Sequence, residues 1–542
     1  LRFSSQDGYM YGIREHDVQD SANFFGEDWY IEMGGDSSII AMNPSVSLNS
    51  LLKITYKVSP TLKFSGQYIG SIGNNKSYVH FYKYNPDGRS QSASENENIS
   101  FKVNHAIGKK TFYEAHIFQN NTDYESYQFT PLDLSKAINF SSGDAFGQDE
   151  DLLLYIDSPG IYEVGPNIIT ILDGETYLLP NSKYASSQKI LGAPSSPTFS
   201  FGGSNRGHNY RYSTSYGGKL DISSQINNRH EIKTGIQFRM DELNERIFSI
   251  LYDDNTYRIP TISPENASPS HSNYNENALF ISAYFQDKLE YDSFIMNIGL
   301  RYDSFDPKSS HIDSLLNPEF GKTKSSRKSM LSPRMGVAYP ITDRGIIHFS
   351  YGHFYQMPTM RNLFLKNIFG AGLSPTMGYS NLKPQKTVMY EFGLQQQLGR
   401  FIALNTSIFY KDIRDLLALQ TINYNSPTYG PSSYAIYLNK DYSMVKGITL
   451  SLTKRRDAKT KTSAFIDYSY QTTEGNSVAS GSFYFNALTD TEEEKKIVPL
   501  SWDQSHVFNT TISITEPGEK GWGISFIGKL STGWPYTPNI PF

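Results

Sequence analysis

Four charged side chains carry the most chemistry this sequence offers: Arg239, Arg301, Asp303 and Arg334. Each falls in a stretch where polar and apolar residues alternate, and Arg301, Asp303 and Arg334 are expected on one face of adjacent strands approaching residues 306–330. If Arg239 shares that face, a charged ring faces a lumen. Such a ring would contact an anionic ligand or an inserted polypeptide. It would equally serve as an ion-pair network that braces the wall, because the interior of a lipid-spanning barrel is normally polar.

Other reactive types are less organised. His348 and His353 are five apart, so on one strand they face opposite sides and cannot share a metal without a bulge. Asp149, Glu150, Asp151 and Asp157 offer oxygen atoms to calcium, or simply form a solvated acidic loop. The acidic run at 490–494 reads as solvated. There is no glycine-rich phosphate loop after a strand and no Gly-x-Ser-x-Gly elbow. No His or carboxylate spacing points to catalysis, so an enzyme, a metal and a cofactor are not expected. Tyr351, Phe354, Tyr355, Trp522, Trp534 and Tyr536 are expected in an aromatic girdle at a lipid–water boundary. Tyr124, Tyr127, Tyr424 and Tyr434 are expected in long loops, packing there or stacking on a ligand.

The elements that position these residues are hairpins. In 294–303, Phe294, Met296, Ile298, Leu300 and Tyr302 alternate with Ile295, Asn297, Gly299, Arg301 and Asp303. In 277–289 the same period runs through Leu279, Ile281, Ala283 and Phe285, and residues 290–292 leave room only for a tight turn. Further pairs are predicted at 47–58 with 61–73, 99–107 with 111–119, 211–226 with 229–240, and 331–341 with 345–355. Others follow at 387–398 with 401–412, 443–455 with 461–470, and 503–514 with 521–533. The connections between pairs are long and rich in Asn, Ser, Gly, Pro and Tyr: 74–98, 120–210, 241–276, 306–330, 356–386, 413–442 and 471–502. Short turns at one end and long loops at the other match a membrane barrel with periplasmic turns and extracellular loops. Many strands exceed the roughly 9–11 residues a tilted membrane strand needs. The unequal loops do not suit a propeller.

Composition agrees. With 39 Tyr and 33 Phe but no run of about 18 apolar residues, a membrane helix is not expected. A mean hydropathy of -0.46 does not exclude a barrel, whose apolar residues stand at every second position. The net charge of -5, without a long basic run, gives no nucleic-acid partner. There is no Cys, hence no disulfide or thiolate site.

Several motifs resemble the barrel of TonB-dependent outer-membrane receptors. They are Ser-Pro-Arg-Met-Gly-Val-Ala-Tyr at 332–339, His-Phe-Ser-Tyr-Gly at 348–352, and Asn-Ile-Gly-Leu-Arg-Tyr-Asp at 297–303. Tyr-Glu-Phe-Gly-Leu at 390–394, Phe-Tyr-Lys-Asp-Ile at 409–413, Val-Lys-Gly-Ile at 445–448 and Gly-Trp-Pro-Tyr-Thr-Pro at 533–538 follow in family order. The resemblance is greatest to the branch carrying a carboxypeptidase-regulatory-like domain ahead of its plug. It implies an all-β transmembrane antiparallel barrel, with about 16 strands visible here of a probable 22. Residues 1–44 would be an early strand remnant and loop. Residues 45–542 would be barrel, incomplete at the C-terminus, with a large extracellular loop about 120–210. The plug and TonB box are not seen in this sequence. The partners implied are outer-membrane lipid, the TonB complex through that plug and box, and an unidentified solute, on a monomeric barrel. The function implied is energised uptake of a scarce large solute: siderophore, cobalamin, glycan or peptide. A passive porin-like channel and a surface binding or adhesion protein are the alternatives.

Overall fold

The structure, a computed structural model, describes residues 1–18, 20, 22–25, 28–31, 33–127, 161–164, 167–172, 175–180, 199–200, 202–252, 260–262, 271–365, 376–427, 430–476, 497–516, 518 and 521–535. One 19-stranded sheet dominates it. Its long strands are β1 (Arg2–Gln6), β2 (Ser45–Lys57), β3 (Leu62–Asn75), β4 (Gln91–Ile107), β5 (Thr111–Tyr127), β6 (Gly207–Gln225), β7 (His230–Ser249), β8 (His271–Tyr291) and β9 (Phe294–Asp306). They continue as β10 (Lys328–Thr342), β11 (Gly345–Gln356), β12 (Gln385–Gln397), β13 (Ile402–Ser426), β14 (Gly430–Lys454), β15 (Thr462–Gly475), β16 (His506–Glu516) and β17 (Trp522–Ser531). Two-residue strands at Thr376–Met377 and Val498–Pro499 complete the sheet.

The ladder is a meander. β2 pairs antiparallel with β1 and β3, and pairing then runs β3–β4, β4–β5, β5–β6 and β6–β7. It goes on strand by strand through β8, β9, β10, β11 and β12. The last steps reach β17 through β13, β14, β15 and β16. No described helix is long and apolar enough to cross a membrane.

Alternation decides the faces. On β9, Ile298, Leu300 and Tyr302 are 43–47% exposed on the outward face, while Arg301 and Asp303 turn inward. Ile236 and Phe238 on β7, and Ile281 and Phe285 on β8, continue the outward apolar surface. Tyr351, Tyr390 and Tyr410 form an aromatic row on that surface, with ring centroids 5.1 and 6.4 Å apart. Phe354, expected in the girdle, stands instead on the inward face; its even parity with Gly352 carries it there. Tyr536, also expected in the girdle, lies outside the described residues.

Inward glycines sit directly opposite aromatic rings. Gly217 pairs with Phe118, Gly235 with Tyr284, Gly393 with His348 and Gly447 with Phe409. A Cβ at any of these four glycines would lie within 2.7 Å of that ring, so the missing side chain lets the ring lie across the strand.

Two strands exceed every sequence expectation. The stretch 413–442 reads as a loop, yet β13 and β14 stay paired up to Ser426 and Gly430. A bulge between Ile413 and Leu416 interrupts them, with Asp415 at φ 59°. Each strand has 25 residues, roughly 80 Å of chain. Their upper halves pack at the loop end, where Ile422, Tyr434 and Ile436 bury against Ile312. Tyr424 and Tyr434 are therefore strand residues. Tyr434 is buried, and its hydroxyl donates to the Leu315 carbonyl at 2.8 Å. Tyr124 and Tyr127 likewise belong to β5.

Candidate functional site

Strand register spreads the four predicted charges over four successive rows of the inward face, level with Phe280, Ser282, Tyr284 and Gln286 for Arg239, Asp303, Arg301 and Arg334 in turn. Arg301 lies opposite Tyr284 of β8, whereas Arg239 lies opposite Phe280. Four residues of β8 separate those rows, about 14 Å along the strand. Neither Arg301 nor Arg334 is at a strand end, since β9 runs on to Asp306 and β10 begins at Lys328.

Arg301 is already engaged. Its Nε lies 2.9 Å from each carboxylate oxygen of Asp303, and Ser282 Oγ adds a hydrogen bond to Asp303 at 2.7 Å. Residues two apart share a face, about 6.6 Å from each other, which a long cationic side chain spans easily. The same device recurs along neighbouring strands. Lys219 meets Asp221 at 2.8 Å, Lys233 meets Glu231 at 3.0 Å, and Arg239 meets Asp241 at 3.1 Å. Lys288 pairs with Glu290 in the same way. Tyr284 also donates to Asp221, at 2.7 Å. Such half-exposed pairs each add only about 0–1 kcal/mol. Their main effect is to cancel charge locally and hold side chains against the wall.

Arg334 differs. Two residues away along β10 stand Ser332 and Gly336, neither of them acidic. Among the described residues no carboxylate lies within ion-pair distance of its guanidinium. That group instead lies 4.7 Å from the ring centroid of Phe354. Arg301 pairs with Ser332, which makes Arg334 its diagonal neighbour across the ladder. Arg301, Arg334, Lys219, Tyr284, Ser350 and Phe354 all border a cavity of about 530 Å³.

Higher on the inward face is a constellation the sequence reading misses. Glu245 is fully buried and accepts a hydrogen bond from the Tyr274 hydroxyl. Arg361 approaches its other oxygen to 3.7 Å. Arg361 belongs to a short helix, α1 (Met360–Phe364), capped at its start by the Thr359 hydroxyl. Leu363 and Phe364 of α1 join Leu243, Tyr274, Ala278 and Phe305 in an apolar cluster. The only signal in the sequence was that alternation continues past Met240, placing Leu243 and Glu245 on the parity of Arg239.

His348 turns inward, 3.7 Å from Glu391, while His353 bonds Tyr351 at 2.7 Å on the other face. The described residues hold no group of three potential metal ligands. Asp149, Glu150, Asp151, Asp157 and the run at 490–494 lie outside the described residues.

The family described as "TonB dependent receptor-like, beta-barrel" matches residues 41–539. The chain belongs to that family. Its long inward-polar, outward-apolar strands are thus those of an outer-membrane barrel protein.

Solved structures of this family share the fold. The Escherichia coli outer membrane transporter YddB is 10% identical, with a TM-score of 0.56, over 89% of this chain and 56% of its own. The copper transporter OprC is 11% identical, with a TM-score of 0.53, over 87% and 57%. The ferric yersiniabactin uptake receptor FyuA from Yersinia pestis is 10% identical, with a TM-score of 0.51, over 97% and 62%. The chain thus spans less than two thirds of the length of these TonB-dependent receptors. No characterised protein matches it by sequence.

Proposed function

We propose that this chain forms the wall of a receptor that takes up a scarce large solute across the outer membrane, energised through TonB. The observation that carries the reading is the family match over 41–539 on a sheet whose two faces suit lipid and water. The solute class stays at siderophore, cobalamin, glycan or peptide; the neighbours named for ferric yersiniabactin and ferric-catecholate import favour the siderophore member, and the one named for copper lies outside these classes. The long strands and loop-end clusters form the outer mouth, and the inward polar face meets whatever fills the lumen.

The test is uptake by cells lacking this gene, across a panel of ferric siderophores, cobalamin, oligosaccharides and peptides. Loss of one class, with that same uptake abolished in wild-type cells by a protonophore, supports the reading. Uptake unaffected by the protonophore, with a steady large conductance in planar bilayers, would mean a passive channel. Intact uptake with lost surface attachment would mean an adhesion protein.

A further inference from the structure

We infer that Arg334, with Arg301 beside it, is a binding site on the inward wall for a carboxylate group of the transported solute. The inference deepens the transport reading and rests on it for how the anion arrives. Five cations on β6–β9 are matched by a carboxylate two positions along their own strand. Arg334 has Ser332 and Gly336 in those places. Its strand therefore provides the cation and omits the counter-charge.

The surroundings pre-organise that cation. Phe354 lies against the guanidinium, and Gly352 stands opposite Arg334 in the ladder. A planar guanidinium held against a ring keeps its N–H edge available, and that edge fits a carboxylate with two parallel hydrogen bonds. Arg301 adds positive charge although Asp303 engages it, and Lys219 is similarly engaged by Asp221. Asp303 has its oxygens occupied by Arg301 and Ser282, so it competes weakly for Arg334. The cavity of about 530 Å³ lies in the range of small-molecule sites and is bordered by hydroxyl and amide groups from Ser350, Gln286 and Asn297.

Gly336 supplies a direct test. A Cβ there would meet nothing within 4 Å, so a side chain can be added without a clash. Gly336→Asp places a carboxylate two positions from Arg334, copying the arrangement of Arg301 with Asp303. The purified full chain, in detergent, is titrated with citrate by calorimetry, and folding is checked by heat-modifiable migration in gels. The expected result is citrate binding that falls at least about tenfold in Arg334→Gln and in Gly336→Asp. Binding should persist in Arg239→Gln, whose row lies about 20 Å from that of Arg334 along the strands. Arg334→Lys, which keeps the charge but loses the fork, should fall between. Absence of citrate binding in the wild type, or equal binding in folded Gly336→Asp, overturns the proposal. A requirement for Arg334 in folding but not in citrate binding would assign it to a polypeptide contact and overturn it too. The titration is independent of uptake, so its failure and the failure of the transport reading are separate.

Discussion

Phe354 and Arg334 stand on adjacent strands with the ring centroid 4.7 Å from the guanidinium carbon, and Gly352 makes the approach possible. A Cβ at Gly352 would lie 3.0 Å from the ring and 3.5 Å from Arg334 Cγ. Gly352→Ala should therefore cost about 1–3 kcal/mol by overpacking. Combined with Phe354→Leu, the cost should shrink, because the two sites couple. Urea titrations of refolded single and double variants measure this; fully additive costs would remove the steric account.

The lipid face is tested on β9. Ile298 points outward at 45% exposure and Asn297 points inward. Ile298→Arg is expected to cost about 2–4 kcal/mol if it lies near the bilayer midplane, and Asn297→Arg much less. Refolding into vesicles under denaturant gives both numbers. Similar costs would reverse the face assignment.

At the mouth, Tyr274 donates to a carboxylate that has no exposed surface. Tyr274→Phe keeps the ring in its apolar cluster and removes only that donor. The expected loss is about 1.5–3 kcal/mol, the range for hydrogen bonds to charged groups. Arg361→Gln should lose less, since its contact is longer and its side chain is 47% exposed. The ranking of the two in a refolding titration checks the assignment, and a larger effect at Arg361 would transfer the main support of Glu245 to the helix.

In the turn between β14 and β15, Asp457 receives Lys454 Nζ, the Thr460 hydroxyl and the amides of Thr460 and Lys459. Those donors, Lys454 foremost, hold its carboxyl well below the usual carboxylate range. A folded value below the unfolded one gives stability that is complete above the unfolded value, near 4. It is lost as pH falls from there through the folded value. Asp457→Asn should thus flatten the acid-side decline of the refolding midpoint between about pH 4 and pH 2. An unchanged slope would show that the turn contributes nothing to acid sensitivity.

Period-two alternation made the hairpins legible wherever one face meets lipid, as at Ile298, Leu300 and Tyr302. It failed at 413–442, where Leu416, Leu417, Ala418 and Leu419 form an unbroken apolar run. There loop segments cover the strands, so both faces take apolar residues and the alternation disappears. Parity within each strand left open whether Arg239 shares the face of Arg301, and the register that puts them on one face also puts them at different heights. Height is set by hydrogen-bond register between strands, and no residue in either strand encodes its partner's position. Glu245 was invisible for a third reason. Its partner Arg361 lies 116 residues away, on a helix that packs there through Leu363 and Phe364.

The bulge between Ile413 and Leu416 divides one hairpin into two mechanical regimes. Below it, β13 and β14 are flanked by β12 and β15, and opening any hydrogen bond disturbs neighbours on both sides. Above it, among the described residues, β13 is laddered to β14 alone, and β14 gains only Thr376–Met377 on its other edge. Opening of the upper ribbon from Ser426 and Gly430 down to the bulge would therefore break its packing of Ile422, Tyr434 and Ile436 against Ile312 but leave the ladder below the bulge paired. The outermost part of the protein can fray and re-form without exposing the lipid-spanning ladder to water.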